Sequence, residues 1–257
     1  MIIYLFFLIV CILLFFVTKE VEINGNHTYS RNFVYIFMVV FLFLLLYFFR
    51  GMEVGKDTRN YRILFELIQT VDIKKLILQS SFEKHSNVHE YLSYTEPGYL
   101  ILNKLGSIIF SGSFRLCLFS FCAFEIIILF SFVYRFVEYP WLSVVLWICM
   151  GFLGYSLNLT RQMIAVSFTV LAFQCIQERK LLHYLVLVLL AGTIHTTAFI
   201  ILPMYWIIRI KLSRRMITVA TFVVFIFSFY SRQLLRNINL GFLTRYYARR
   251  LEAVKNF

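Results

Sequence analysis

The chain has 257 residues, of which 61% are hydrophobic, 19% aromatic and only 15% charged, with a mean hydropathy of +0.79. No soluble domain buries that much apolar surface, so composition excludes a water-soluble globular protein and points to a multi-pass membrane protein. The net charge of +12 does not indicate nucleic acid, because the basic residues are scattered through short segments between apolar runs, as in the basic loops of membrane proteins.

In chain order, the first apolar run is Ile2–Val17. It lacks a basic leader and a small-residue cleavage site, so it reads as a retained span. Further spans are predicted at Phe33–Phe49, Leu116–Tyr134 and Met216–Tyr230, each close to the length of about 17–25 residues that crosses a bilayer. Trp141–Gln177 is too long for one span. As a single helix it would reach about 55 Å, against a hydrocarbon core of about 30 Å. It is predicted to fold into two legs with "SLNLTRQ" as the turn. Leu182–Ile208 falls between one span and two.

Basic loops set the expected orientation. Lys19 and Arg31 flank the first loop, Arg135 the next, then Glu178-Arg179-Lys180, then "RIKLSRR" from Arg209 to Arg215. If all are cytoplasmic, Leu182–Ile208 enters the membrane and returns, as two short helices meeting near His195; a single tilted span is the competing arrangement. The amino terminus and a long loop from about 50 to 113 are then outside. That loop is itself basic, with Lys56, Arg59, Arg62, Lys74, Lys75 and Lys84, but long loops translocate largely regardless of charge. Within it, Asp57 precedes a predicted amphipathic helix with Tyr61, Phe65 and Ile68 on one face, lying against the membrane. "TEPGYLILNKLGSIIF" starts a second helix, with Pro97 in its first turn and Thr95 or Glu96 as the cap. The expected fold class is all-α: a polytopic transmembrane helical bundle with short or re-entrant helices and one long extracytoplasmic loop. It is read as one integral membrane domain over 1–257, ending in a basic tail from 231 to 257.

On this topology the oddly placed polar groups gather on one face: Arg50, Asp57 and Glu96 from the loop, Asn158, Arg161 and Gln162 from one turn, His195 from the other. A guanidinium stays charged, so Arg161 must be solvated, paired or used. It either snorkels to headgroups or forms an anion site with Asn158 and Gln162, and the amide companions favour the second. The spacing i, i+3, i+4 puts the three on one stripe if the segment is helical. His195 is either a satisfied structural group or a site group, and Asp57 and Glu96 are either helix caps or carboxylates of the site.

Other patterns carry less. The five cysteines, Cys11, Cys117, Cys122, Cys149 and Cys175, all sit in apolar runs and read as small buried hydrophobes. His85 and His89 have i, i+4 spacing but no third ligand, so no metal site is predicted. "NHT" at Asn26 and "NLT" at Asn158 are glycosylation sequons by pattern alone.

The blocks "FFRGMEVGKDTRNYRILFE", "YTEPGYLILNKL", "NLTRQMIAVSF" and "IHTTAFIILP", in this order and spacing, resemble the EpsG-like family of bacterial membrane proteins, held to be polysaccharide polymerases of the Wzy type. The family pattern is an arginine, then G-x-D and a tyrosine; E-P-G-Y; an asparagine followed by R-Q; and a histidine followed by small or hydroxyl residues. Relatives usually continue through more spans after an R-Y motif like Arg245-Tyr246, so this chain reads as a compact or truncated member. The resemblance implies a metal-independent glycosyltransferase, without cofactor, in the bacterial cytoplasmic (inner) membrane. It would polymerise lipid-linked repeat units into exopolysaccharide, capsule or O-antigen on the outer face, moving a glycan from undecaprenyl diphosphate to a sugar hydroxyl. Arg161 first and Arg50 second would hold the diphosphate. Asp57, Glu96 or His195 would take the hydroxyl proton. Asn158 and Gln162 would orient sugar hydroxyls or Arg161. The implied partners are that lipid-linked oligosaccharide, membrane lipids and other polysaccharide assembly proteins. A flippase or transporter, a ligase, and a non-catalytic membrane subunit of the export machinery are the rival readings.

Overall fold

The apolar runs are helical because a chain in hydrocarbon must satisfy its own amides, and a helix does so within one segment. The computed structural model describes residues 2–18, 21–23, 27–29, 31–72, 95–211 and 213–237. Helix α1 (Ile2–Val17) leads through a short antiparallel pair, β1 (Val21–Ile23) and β2 (His27–Tyr29), into α2 (Arg31–Phe49). Next come α3 (Thr58–Gln69), α4 (Pro97–Ile109) and α5 (Phe114–Phe136). The two predicted legs of 141–177 are α6 (Pro140–Cys149), α7 (Phe152–Asn158) and α8 (Thr160–Gln177). After α9 (Leu181–Ile194) follow a 3₁₀ helix (Thr196–Ile201), α10 (Met204–Ile207) and α11 (Arg214–Asn237).

Two of these helices, α2 and α5, are long and apolar enough to cross a membrane, and the pair α6 and α7 qualifies as a third if counted as one span bent by 65°. This is a helical membrane protein. The bend corrects the simple two-leg reading of 141–177: the first leg is itself broken at Gly151, whose φ of +80° is a left-handed conformation open to glycine. The described chain divides into two compact units, Met1–Tyr205 and Trp206–Phe257. In the second, α11 exposes its apolar residues from Met216 to Tyr230.

Ring contacts fix the helix directions in the first unit. Phe33 meets Tyr134, Phe43 meets Phe130 and Phe48 meets Phe119, so α2 and α5 are antiparallel. Phe124 meets Phe168 and Phe132 meets Phe173, so α5 and α8 run the same way. A tight turn at Glu178–Lys180, with Arg179 at φ 58°, then sends α9 back along α8. The ends of α2, α7 and α9 therefore share one end of the bundle with the starts of α4, α5 and α8. Arg135 and the turn at 178–180 occupy the other.

Within the first unit the chain doubles back after His195, as far as Tyr205. His195 is extended, at φ −150° and ψ 113°, and ends α9. The Tyr184 hydroxyl, in the first turn of α9, donates to the carbonyl of Ile201, and its ring packs 5.2 Å from that of Tyr205. A single tilted span is therefore not formed. The amphipathic helix α3 does not reserve its apolar face for lipid: Leu64 and Ile68 are buried in one cluster with Tyr99, Leu100, Ile164 and Ile194. Of the cysteines, Cys11, Cys117 and Cys122 are buried, whereas Cys149 is exposed.

Close packing of α4 on α9 needs a glycine. A Cβ at Gly98 would stand 2.4 Å from Thr193 Oγ1 and 2.8 Å from the Thr193 carbonyl carbon. At Gly151 a Cβ would meet nothing within 4 Å. Gly98→Ala is expected to cost about 1–3 kcal/mol from overpacking, read as a lower Tm in detergent. Gly151→Ala is expected to cost about 1 kcal/mol, from backbone conformation alone. Equal melting of the two variants would contradict the α4–α9 contact.

Candidate active site

Arg161 is paired. Its Nη1 donates to Glu96 Oε2 at 2.7 Å, with the two side chains 17% and 15% exposed, so the pair is shielded yet reachable. Arg161 is the second residue of α8, the end of a helix dipole that disfavours a cation. A carboxylate from another helix offsets that cost. Glu96 itself is the N-cap residue of α4, but its side chain makes no capping bond. The carboxylate is turned outward instead, and its second oxygen accepts from the Thr196 amide at 3.3 Å and the Thr196 hydroxyl at 3.4 Å. His195 Nδ1 approaches the same oxygen at 3.4 Å, without the alignment of a hydrogen bond. Tyr99, fully buried, lays its ring 6.0 Å beneath the Arg161 guanidinium.

The four residues of "EPGY" thus have separate jobs in one place. Glu96 holds Arg161, Pro97 opens the helix with its φ already set, Gly98 admits α9, and Tyr99 floors the cation. Burial pushes the Glu96 carboxyl upward, but the His195 ring and the Arg161 charge outweigh it and hold the group down at about 2.

A second contact lies beside this one. The Asp57 backbone amide donates to Asn158 Oδ1 at 3.1 Å. Asp57 is the N-cap residue of α3 but makes no side-chain cap; among the described residues nothing hydrogen-bonds its carboxylate. Gly55, at φ +90°, brings the loop against α7: a Cβ there would stand 2.5 Å from the Leu157 carbonyl oxygen. Tyr61 bridges the two contacts. Its ring packs 5.8 Å from Tyr99, and its phenol is pushed up to about 12, first by burial and then by Asp57, while Arg161 pulls the other way.

The common stripe expected of Asn158, Arg161 and Gln162 does not form. Leu159, at φ −101° and ψ 49°, separates α7 from α8. Asn158 therefore faces Asp57, Arg161 faces Glu96, and Gln162 is exposed. Arg50 is not brought to the reachable surface either. It is 5% exposed, and its Nη2 donates to the Val54 carbonyl at 3.1 Å and the Thr58 hydroxyl at 2.7 Å.

One ionisable residue escaped the sequence reading. Glu125, midway along α5 and 1% exposed, accepts from the Ser156 hydroxyl at 2.5 Å, and Ser156 also hydrogen-bonds the Tyr47 hydroxyl. The signal was present, since a lone carboxylate in the run "FCAFEIIILF" is itself unusual.

These features define a helical membrane protein with a partly shielded cluster of arginine, carboxylates, histidine and hydroxyls at one end of its bundle. The model of the EpsG family matches residues 33–255, and the chain belongs to that family. It is accordingly a membrane protein of polysaccharide biosynthesis. No curated protein and no solved structure matches it. Among the described residues no three His, Cys, Asp or Glu side chains gather as a metal set. His85, His89, Asn26 and the Arg245-Tyr246 motif lie outside the described residues.

The Glu96 network has a pH signature. A carboxyl whose folded value, about 2, lies below the ordinary 4.5 binds fewer protons folded than unfolded. Its stabilisation is therefore complete above about 4.5 and is lost as pH falls toward 2. With solvent screening discounted, on the order of 1–3 kcal/mol is expected to disappear over that window. The Tm in detergent should fall more steeply from pH 5 to pH 3 in the native chain than in Glu96→Gln; parallel slopes would contradict the network.

Proposed function

We propose that the chain polymerises lipid-linked oligosaccharide repeat units at the outer face of the bacterial cytoplasmic membrane. The observation that carries this reading is the Arg161–Glu96 pair: a permanent cation at a reachable bundle end, neutralised by a carboxylate that an incoming anion can replace. The gathering of Arg135, Arg179 and Lys180 at the opposite bundle end supports placing the site outside.

The donor is a glycan on undecaprenyl diphosphate. Its diphosphate exchanges with Glu96 for Arg161, whose fork suits phosphate oxygens. The hydroxyl of a second repeat unit then gives its proton to a base, and its oxygen bonds to the anomeric carbon. The bond from that carbon to the diphosphate breaks, and the electron pair leaves with the lipid carrier. Arg161 stabilises the charge that develops there.

The two carboxylates suit different roles. Glu96, held near 2 by its partners, is a weak base while paired, so its work is to hold Arg161 and His195. Asp57, with no hydrogen bond to its carboxylate among the described residues, takes the base role. Asn158, beside it, meets sugar hydroxyls, and Arg50 is left to structure. A flippase would need cations along a path to both faces, and the described cluster stays at one end.

The test is the lipid-linked glycan ladder of a strain carrying each variant. Arg161→Lys, a point charge in place of a fork, and Asp57→Asn are both expected to leave single repeat units, with turnover down by about 10²-fold or more. A ladder of normal length in either variant removes that residue from its role. Single units that stay untranslocated would indicate a flippase instead.

A further inference from the structure

Helix α7 has a weakness that its neighbours must correct. It spans only Phe152–Asn158 and is broken off at both ends, from α6 by Gly151 and from α8 by Leu159. Neither flanking helix dictates its direction, yet its last residue presents Asn158 to the Asp57 amide at 3.1 Å. Leu153 and Leu157 anchor it in the apolar core, which sets depth and does little to fix rotation. The polar anchor is Ser156, which is fully buried. Its hydroxyl donates to Glu125 Oε1 on α5 and also hydrogen-bonds the Tyr47 hydroxyl on α2.

The facing loop is pinned by the same buried set. Arg50 Nη2 grips both the Val54 carbonyl and the Thr58 hydroxyl, and Thr58 Oγ1 donates to that carbonyl at 2.6 Å. Those two residues flank the stretch Gly55–Asp57. Arg50 Nη1 in turn rests 4.0 Å from Cys122 Sγ, one turn of α5 before Glu125. Both sides of the Asp57–Asn158 contact thus trace back to neighbouring turns of one helix.

We propose that Glu125 is a positioning residue for the candidate site: through Ser156 it holds α7 so that Asn158 meets the Asp57 loop, which Arg50 steadies from the other side. The inference rests on the reading above only in treating that bundle end as the site. Glu125 acts here as a buried acceptor of fixed shape, so a glutamine, which keeps an oxygen at the same reach, serves in its place. Leucine, of similar bulk, leaves the Ser156 hydroxyl without its acceptor.

The first experiment needs no substrate. Asp57→Cys and Asn158→Cys are introduced together in the full-length chain in its own membrane, and oxidative closure of that one disulfide is followed by mass spectrometry. With Glu125 or Glu125→Gln the pair is expected to close at the same rate; with Glu125→Leu or Ser156→Ala it should close about tenfold more slowly, as loss of one buried hydrogen bond implies. Equal rates in all four chains overturn the proposal, as does a glutamine chain as slow as the leucine chain. Should Glu125→Leu fail to accumulate, Ser156→Ala carries the same comparison.

The second arm restores Asp57 and Asn158 and reads the glycan ladder, expected to shorten with Glu125→Leu and to recover with Glu125→Gln. Slow closure with an unchanged ladder supports the positioning role and counts against the polymerase reading. Fast closure with a shortened ladder overturns the positioning role.

Discussion

The ion pair between Glu96 and Arg161 organises this molecule. An arginine in the first turn of a helix meets an unfavourable dipole, and in an apolar bundle it cannot shed its charge. The carboxylate that answers it stands 65 positions earlier in the chain, at the start of a different helix. Around that pair the rest assembles: the Thr196 donors on the second carboxylate oxygen, His195 at the break of α9, and the Tyr99 ring under the cation. Each needs α4, α8 and α9 to converge at one bundle end. The return of the chain after His195 and the close approach allowed by Gly98 both serve that convergence.

The same pair connects stability to the proposed chemistry. Arg161 is paired with Glu96 in this structure, so in the function proposed above the anion must take the place of that carboxylate. The neighbouring Asp57–Asn158 contact is of another kind, an amide bonded to a side-chain oxygen, and leaves the Asp57 carboxylate free of hydrogen bonds among the described residues. Two carboxylates, one paired with Arg161 and one without a hydrogen bond among the described residues, differ in environment, and such a difference lets similar groups take different roles.

Beneath these lies a layer that touches no solvent. Arg50, Thr58, Glu125, Ser156 and Tyr47 are all buried, at cost, inside a largely apolar bundle. The bonds of Tyr47, Glu125 and Ser156 run between α2, α5 and α7, and those of Arg50 and Thr58 close the segment from the end of α2 to the start of α3, which carries the loop at 55–57. The family resemblance makes Arg50 a second candidate to hold a diphosphate, as an arginine fork could. In the structure it is buried and bonds the Val54 carbonyl and the Thr58 hydroxyl, on either side of Gly55–Asp57.

Much was legible in the residues themselves. Hydropathy marked the helices, since apolar runs of spanning length have few other ways to satisfy their amides. Charge placement marked which loops group together, and "EPGY" announced a helix start because Pro97 cannot sit deeper in one. That 141–177 must break followed from its length, and the polar stretch "SLNLTRQ" placed a break near Asn158. Which side chains meet did not follow, because a partner 65 or 101 positions away leaves no local period. The stripe of Asn158, Arg161 and Gln162 failed for a related reason: it assumed an unbroken helix, and a single residue, Leu159, turns the chain between them. Sequence showed that a buried charge had to be answered; only the packing of three helices decided that Glu96 would answer it.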